Sequence, residues 1–253
     1  MGDSTEKTLD PELFGEPPER DERFCVKERW SDCVNFPPGH QLKDVEFFHR
    51  QMNEEMNGME NAARSLADFP DADWSVRMCI ARQCSDEARH VLMFRRIYES
   101  RSGKVGEYPV LNFQYRIIAN LRSLVDRLAV QNRSFEAGGI DAVSFGIDEA
   151  RKKGDLEVAE LFEMQQADEI THVRFANEYL RDCIHQEPRS ALQVARALTL
   201  ASKAFLQVMG NEGMSNVEYL VDEEGRREAG FDSGEVKVAA SQATNRRALN
   251  RAG

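Results

Sequence analysis

The stretch "DEARH" occupies residues 86–90, and "DEITH" occupies residues 168–172. Each lies in a run whose apolar residues recur at helical spacing, so each puts a glutamate and a histidine three positions apart on a helix. Successive helical residues turn by about 100°, which leaves positions i and i+3 about 60° apart and roughly one turn apart along the axis. Glu87 with His90, and Glu169 with His172, can therefore each grip one cation from one helix face. The bare Glu-x-x-His pattern is cheap, because Glu46/His49 is a third copy in a chain with only 5 histidines. The preceding aspartate makes the two longer copies scarcer and ties them together as two halves of one site.

Outward from these motifs the chain reads as helix. Val45, Phe48, Met52, Met59 and Leu66 form an apolar stripe on a helix from about 41 to 68. "FPDAD" (69–73) breaks it and offers Asp71 or Asp73 as a cap for a second helix from about 74 to 100. A third helix starts near Leu111, carries Ile118, Leu121, Val125, Leu128 and Asn132 on one stripe, and reaches about Glu136. There Gly138 and Gly139 weaken or kink it. A shorter piece over about 142–152 leads to "KKGD" (152–155), a stop and restart. The fourth long helix covers about 155–184, Pro188 punctuates, and a fifth spans about 189–208. Strand signals are nearly absent. The expected fold is all-α: an antiparallel four-helix bundle over 41–185, with an extended arm over 1–40 and a helical extension over 186–253 packing on the bundle. The arm holds most of the prolines and few large apolar anchors (Leu13, Phe14, Phe24, Trp30); it wraps the domain or stays partly disordered.

A dinuclear centre built on two such helices needs one further carboxylate from each of the other two, at the same height in the bundle. In an antiparallel hairpin, equal height means equal distance from the turn. Counting from a turn near residue 71, Glu87 and His90 call for a partner within 52–55, where Glu54 and Glu55 stand. Counting from a turn near Gly154, Glu169 and His172 call for a partner within 136–139, where Glu136 stands. An internal repeat separates the first two. "EMNGMENAA" (55–63) aligns with "EAGGIDAVS" (136–144), and an amide precedes each glutamate by four (Gln51, Asn132). Glu55 also shares the stripe phase of Phe48 and Ala62, so it is chosen, with Glu54 as the fallback.

The expected ligand set is thus Glu55, Glu87, His90, Glu136, Glu169 and His172. A single helical glutamate is usually a solvated surface charge, but four acids and two histidines at matched heights would be very costly to bury without a cation. Asp86 and Asp168 are expected to accept the remaining imidazole N–H, with the opposite helix's histidine as a candidate donor, which fixes ring and tautomer. Glu46/His49 lies nine residues from Glu55, about 13 Å along the helix, and reads as a surface pair.

The quoted motifs and paired glutamates resemble the ferritin-like superfamily of dinuclear carboxylate proteins. More narrowly, "EMNGME" (55–60), "RLAVQNRSFEAGGID" (127–141) and "ADEITHV" (167–173) resemble an uncharacterised bacterial ferritin-like family, a domain of unknown function. The resemblance covers about 40–185, reaching to "AGF" (229–231), and implies the fold and the metal site. Asn53 departs from it, standing where that family's first-helix motif would carry histidine, a change expected in the outer shell rather than among the ligands.

Composition narrows the function. The 253 residues are 41% hydrophobic and 30% charged, with a net charge of −11, the wrong sign for gripping phosphate backbones. No apolar run is long enough to span a bilayer, and the acidic start has no apolar signal segment. Its "MGDSTE" misses a myristoylation pattern, since Glu6 fills the position that needs Ser or Thr. Five scattered cysteines without CxxC fit a reducing cytoplasm and exclude a rubredoxin-type appendage. Carboxylate and imidazole together suit Fe, with Mn at one or both sites as the variant, better than Zn or Ca. The expected function is O2 activation by two Fe ions to oxidise or oxygenate a small organic substrate, with an external electron donor. Met52, Met56, Met59, Phe48 and Phe135 are candidates to line its pocket, or are simply core. Ferroxidase or iron-storage activity and manganese-catalase chemistry are the alternatives. A monomer or homodimer fits an enzyme, and a 24-mer fits storage.

Overall fold

The computed structural model describes residues 9–37, 39–215 and 220–252, without the side chains of 211–215 and 245–252. The chain is all-α. Helix α1 spans Lys43–Asp68 and α2 spans Trp74–Ser100. After a loop come α3 (Phe113–Asn120), α4 (Leu124–Val130), a π-helical stretch (Gln131–Glu136) and α5 (Ala137–Lys153). Then follow α6 (Leu156–Gln186), α7 (Ser190–Ser215), α8 (Glu223–Glu228) and α9 (Ser233–Ala252). The strands β1 (Val26–Lys27) and β2 (Val110–Leu111) are two residues each and pair in parallel, Val26 with Val110 and Lys27 with Leu111. No described helix is long and apolar enough to cross a membrane.

Short connections make two antiparallel hairpins, α1 with α2 and α5 with α6, and α2 lies along α6. The first turn does not cap as expected: Asp73 is the residue before α2, but its side chain makes no cap bond. At the second turn Gly154 takes the left-handed conformation (φ 73°) that ends α5, and Asp155 accepts the Val158 N–H to start α6. Gly138 and Gly139 do not break the helix: α5 runs through them, with Ala137 and Ile140 beside them buried against Val173 and Ala229. The break falls earlier, at Leu121–Ser123, where Leu121 turns extended and Ser123 accepts the Asp126 N–H to begin α4.

The arm wraps the domain. Leu9 and Phe14 are buried with Ile117, Ile118, Ala201 and Ala204 of α3 and α7. The deeper anchor is polar. Asn53, Asn57, Asn61 and Ser65 recur every four residues along α1 and are all buried, a second face of that helix turned inward. Arg20 from the arm meets the first part of this stripe, with Nε on Asn53 Oδ1 (3.3 Å), Nη2 on Asn57 Oδ1 (3.1 Å) and Nη1 on Glu60 (2.5 Å). Asn53 and Asn57 in turn donate to the Leu111 carbonyl, so they hold β2 as well. Asn53 therefore anchors arm and strand rather than tuning the glutamate–histidine cluster. At the other end of the chain, Arg226 of α8 pairs with Asp141 of α5 at 2.6 Å, and Asn177 donates to the Ala229 carbonyl at 2.8 Å.

The expected surface pair Glu46/His49 is not one. His49 is wholly buried among Phe24, Tyr98 and Tyr108, and its Nε2 accepts the Gly106 N–H at 2.8 Å. Glu46 is also buried and bonds Arg50 at 3.1 Å. The loop after α2 folds back over this end of α1, which helical spacing alone does not reveal.

Both polar anchors can be tested by stability. Arg20→Met leaves two buried amide oxygens and a glutamate without their cation, so it should cost about 3 kcal/mol in denaturant unfolding and expose the arm to protease. Burial pushes the His49 imidazole down from 6.5 to about 4. The unfolded chain thus binds the proton first. The His49 contribution is fully present above pH 6.5 and is lost as pH falls toward 4. His49→Gln, which keeps an acceptor for Gly106, should flatten that limb of the stability–pH curve.

Candidate metal centre

Glu87 and His90 on α2 face Glu169 and His172 on α6, and the register is antiparallel. His90 Nδ1 lies 3.1 Å from Glu87 Oε2, 3.3 Å from Glu55 Oε2 and 3.9 Å from Glu169 Oε1. His172 Nδ1 lies 3.4 Å from Glu87 Oε1, 3.5 Å from Glu169 Oε2 and 3.9 Å from Glu136 Oε2. Glu87 and Glu169 each turn one oxygen toward each histidine. Glu55 belongs to the His90 half, and Glu136 to the His172 half. All six expected residues come together and all are buried. Glu54 stays outside, 30% exposed and 3.6 Å from Arg50.

The far nitrogens cross over. His90 Nε2 meets Asp168 Oδ2 at 3.2 Å, and His172 Nε2 meets Asp86 Oδ2 at 3.3 Å. Each aspartate thus holds the histidine of the opposite helix. Arg89 closes the pair from outside, at 3.0 Å from Asp86 and 2.7 Å from Asp168. The His172 bond, joined by the Arg89 guanidinium, holds the Asp86 carboxyl far below the usual range against the smaller effect of burial.

Two glutamines complete the cluster. Gln83 Nε2 donates to Glu136 Oε1 (3.1 Å) and Glu87 Oε1 (3.4 Å). Gln165 Nε2 donates to Glu55 Oε1 (3.0 Å) and Glu169 Oε1 (3.4 Å). Each glutamine steadies its own helix's glutamate and the one reaching in from the opposite hairpin. The sequence does carry a signal for them. The repeat extends to Gln-x-x-Asp-Glu-x-x-His, at 83–90 and 165–172. The internal repeat on the other helices also explains its glycines. A Cβ on Gly58 would sit 3.2 Å from the Glu87 carboxyl carbon, and one on Gly139 would sit 4.0 Å from that of Glu169. Those glycines leave room for the facing carboxylates.

The π-helical turn presents Gln131, Asn132 and Glu136 inward. Gln131 Nε2 donates to Glu136 Oε1, and Asn61 donates to Gln131 at 2.7 Å. Asn132 donates to Gln83 Oε1 at 2.8 Å and to the His172 carbonyl at 3.1 Å. Next to these amides is a cavity of about 10 Å³, lined by Asn61, Ser65, Gln83, Arg127, Gln131 and Asn132 among others, with room for one water. Of the residues expected either to line a pocket or simply to form core, Phe48 and Met52 are core, packed with Phe94 and Tyr98, and Phe135 stacks edge-on to Phe113 at 6.2 Å.

The chain belongs to a family of proteins of unknown function, DUF455. The family's profile matches residues 5–237, which takes in the arm, both hairpins and the start of α9. No curated protein and no solved structure matches the chain.

The donor set fits metal ions. Burial pushes the Glu87 carboxyl up to about 8, reinforced by the Glu136 charge. Burial and the Glu136 and Glu87 charges likewise raise Glu169 well above its usual value. Burial opposes charge on His90, but its bonds to Glu55 and Glu87 outweigh that and hold it up to about 11. His172 is raised in the same way against burial, by Asp86, Glu136 and Glu169. Glu136 goes the other way: against burial, its bonds to Glu169, His172 and Gln131 hold its carboxyl below the usual range, so the cluster concentrates negative charge on that side. Glu169 Oε2 and His172 Nδ1 have no hydrogen-bond partner although both are buried. Four carboxylates balance two divalent cations with both imidazoles neutral.

The two glycines give a discriminating test. Gly58→Ala should crowd Glu87 and weaken any cation held by the cluster about 10–100-fold, the scale for disturbing a ligand's setting. Gly139→Ala makes only an ordinary contact and should leave that affinity unchanged while stabilising α5 by about 0.5–1 kcal/mol. Isothermal titration with Mn(II) and thermal unfolding read the two effects.

Proposed function

We propose that this chain is a ferritin-like non-haem di-iron carboxylate protein, with a mixed Mn/Fe pair as the variant, that activates O2 to oxidise or oxygenate a small organic molecule. The observation that carries the reading is the division of Glu87 and Glu169, whose two oxygens each point to opposite halves of the cluster. Glu55 and His90 would hold one ion, Glu136 and His172 the other, and the two divided glutamates would bridge them. Such a pair, when bound, supplies two electrons for O2 and open coordination positions.

The chain's own groups prepare that site. Asp168 and Asp86 accept the Nε2–H of His90 and His172, which leaves each Nδ1 free for an ion and fixes both rings. Gln83 and Gln165 donate to one oxygen of each glutamate and fix the carboxylate planes. All six side chains are buried, which restricts water at the cluster. A second reading, as a ferroxidase or in manganese-catalase-type peroxide chemistry, is supported by the small size of the cavity that Gln83 and Asn132 help to line, which has room for one water and none for an organic body.

Anaerobic loading with Fe(II) and metal analysis should give two ions per chain, and Glu87→Ala or Glu169→Ala should abolish the second. Asp86→Asn or Asp168→Asn should lower affinity about 10–100-fold while leaving the stoichiometry intact at saturation. Less than one ion per chain in the parent protein would sink the metal reading. With two ions bound, an O2 pulse that yields an oxidised organic product supports the oxygenase. Iron uptake continuing beyond two ions, or fast peroxide breakdown with Mn(II), supports the second reading.

A further inference from the structure

The outer face of the α2/α6 pair is covered by no described element, and it differs from an ordinary solvated surface. Leu92 is 64% exposed and Met164 is 52% exposed. The antiparallel register set by His90–Asp168 and Asp86–His172 places these two at nearly the same height on the pair. Further exposed apolar side chains are Trp74 (75% exposed) and Met78 toward one end and Leu156 (65% exposed) toward the other. The charges are largely sorted by helix. Arg82, Arg89 and Arg96 stand along the outer side of α2, whereas Glu157, Glu160 and Glu178 stand along that of α6. The exceptions are engaged within the chain: Arg174 and Arg181 of α6 bond the Glu228 and Gly230 carbonyls, and Glu99 of α2 pairs with Arg95. Ser85 and Ala167, both exposed and small, leave the middle of the face low.

We propose that this face is where a second copy of the chain docks, as a two-fold dimer. In a two-fold arrangement the same patch meets itself, so α2 of one copy can lie on α6 of the other. The arginine row then meets the glutamate row twice, around a centre of Leu92 and Met164 from both copies. A foreign partner of one charge sign would be repelled by one of the two rows, whereas a copy complements both. Within one chain Arg96 and Glu157 approach only to 3.9 Å and both side chains stay more than half exposed, so each keeps donors or acceptors for a partner. The size is also adequate. The shared length of the two helices is about 27 residues, or about 40 Å, and two helices side by side are about 20 Å wide. That gives about 800 Å² per copy, the usual share of a stable interface. A net charge of −11 opposes self-association over most of the surface, and here the local charges cancel. The dimer would also cover Arg89, now 45% exposed, and with it the outer bridge between Asp86 and Asp168.

Docking through this face needs no metal, so it is tested on the full chain as purified, by sedimentation velocity over a dilution series at physiological salt. The parent protein should sediment as a dimer. Leu92→Glu combined with Met164→Glu should sediment as a monomer with unchanged helical circular dichroism, because both side chains are more than half exposed and contribute little to the core. Arg96→Glu should weaken the dimer at least tenfold, and adding Glu157→Arg should restore it. A parent protein that stays monomeric, a higher assembly, or a dimer untouched by the Leu92/Met164 pair would each overturn the proposal.

Discussion

Four carboxylates and two imidazoles are held in the interior between α1, α2, the π turn and α6, and the surrounding structure answers to the cost of keeping them there. Unpaired buried charge costs several kcal/mol per group even after relaxation. The protein spreads that cost in three ways. Amides from Gln83, Gln165 and Gln131 donate to the carboxylates, Asp86 and Asp168 take the far imidazole nitrogens, and Arg89 neutralises that outer pair. What remains is negative enough that Glu87, Glu169 and both histidines are pushed toward their protonated forms. The six side chains are thus a buried donor set that could hold metal ions.

The same constraint explains why α1 is buried on two sides. Its glutamate-bearing face looks toward the cluster, while Asn53 and Asn57 look toward the arm and β2. Arg20 enters from the arm and bonds Asn53, Asn57 and Glu60, so a polar seam joins the apolar anchors Leu9 and Phe14 in fastening the described part of the arm. Amide and guanidinium bonds have fixed directions. A seam made of them sets the height of α1 more sharply than methyl groups would, and the height of α1 decides whether Glu55 meets His90.

Much of the cluster is legible in the amino-acid sequence, because height in an antiparallel hairpin is a matter of counting. Turns near residues 71 and 154 place Glu55 and Glu136 opposite the two Glu-x-x-His pairs, and the boundaries of α1 and α2 need only local spacing. What the sequence hides has one cause, which is that tertiary contacts override local rules. Gly138 and Gly139 have the local character of a break, yet Ile140 and Ala137 are locked against α6 and the α8–α9 connection. The stripe Asn53–Asn57–Asn61–Ser65 has the composition of a wet face and is buried because the arm and the π turn cover it. His49 has the spacing of a surface residue, and nothing local announces that the loop at Gly106 folds over it. Gln83 and Gln165 are the exception, since they repeat at a fixed offset from the motif and need no tertiary knowledge to be found.

The repeat also shows where the two halves stop being equal. Their ligands match residue for residue, but their surroundings do not. Glu136 accepts from two amides, Gln131 and Gln83, whereas Glu55 accepts from one, Gln165. Gly58 leaves Glu87 almost no slack, while Gly139 leaves Glu169 ordinary room. Arg89 stands on α2, and the matching position on α6 is Thr171, which bonds its own helix at Ala167. One hairpin therefore supplies the cation that both outer aspartates share. An internal duplication alone would predict two equivalent half-sites. The amides of the π turn instead give the His172 half more hydrogen-bond donors, so Glu136 is held by two amides where Glu55 is held by one, and the carboxylate with fewer fixed bonds costs less to turn.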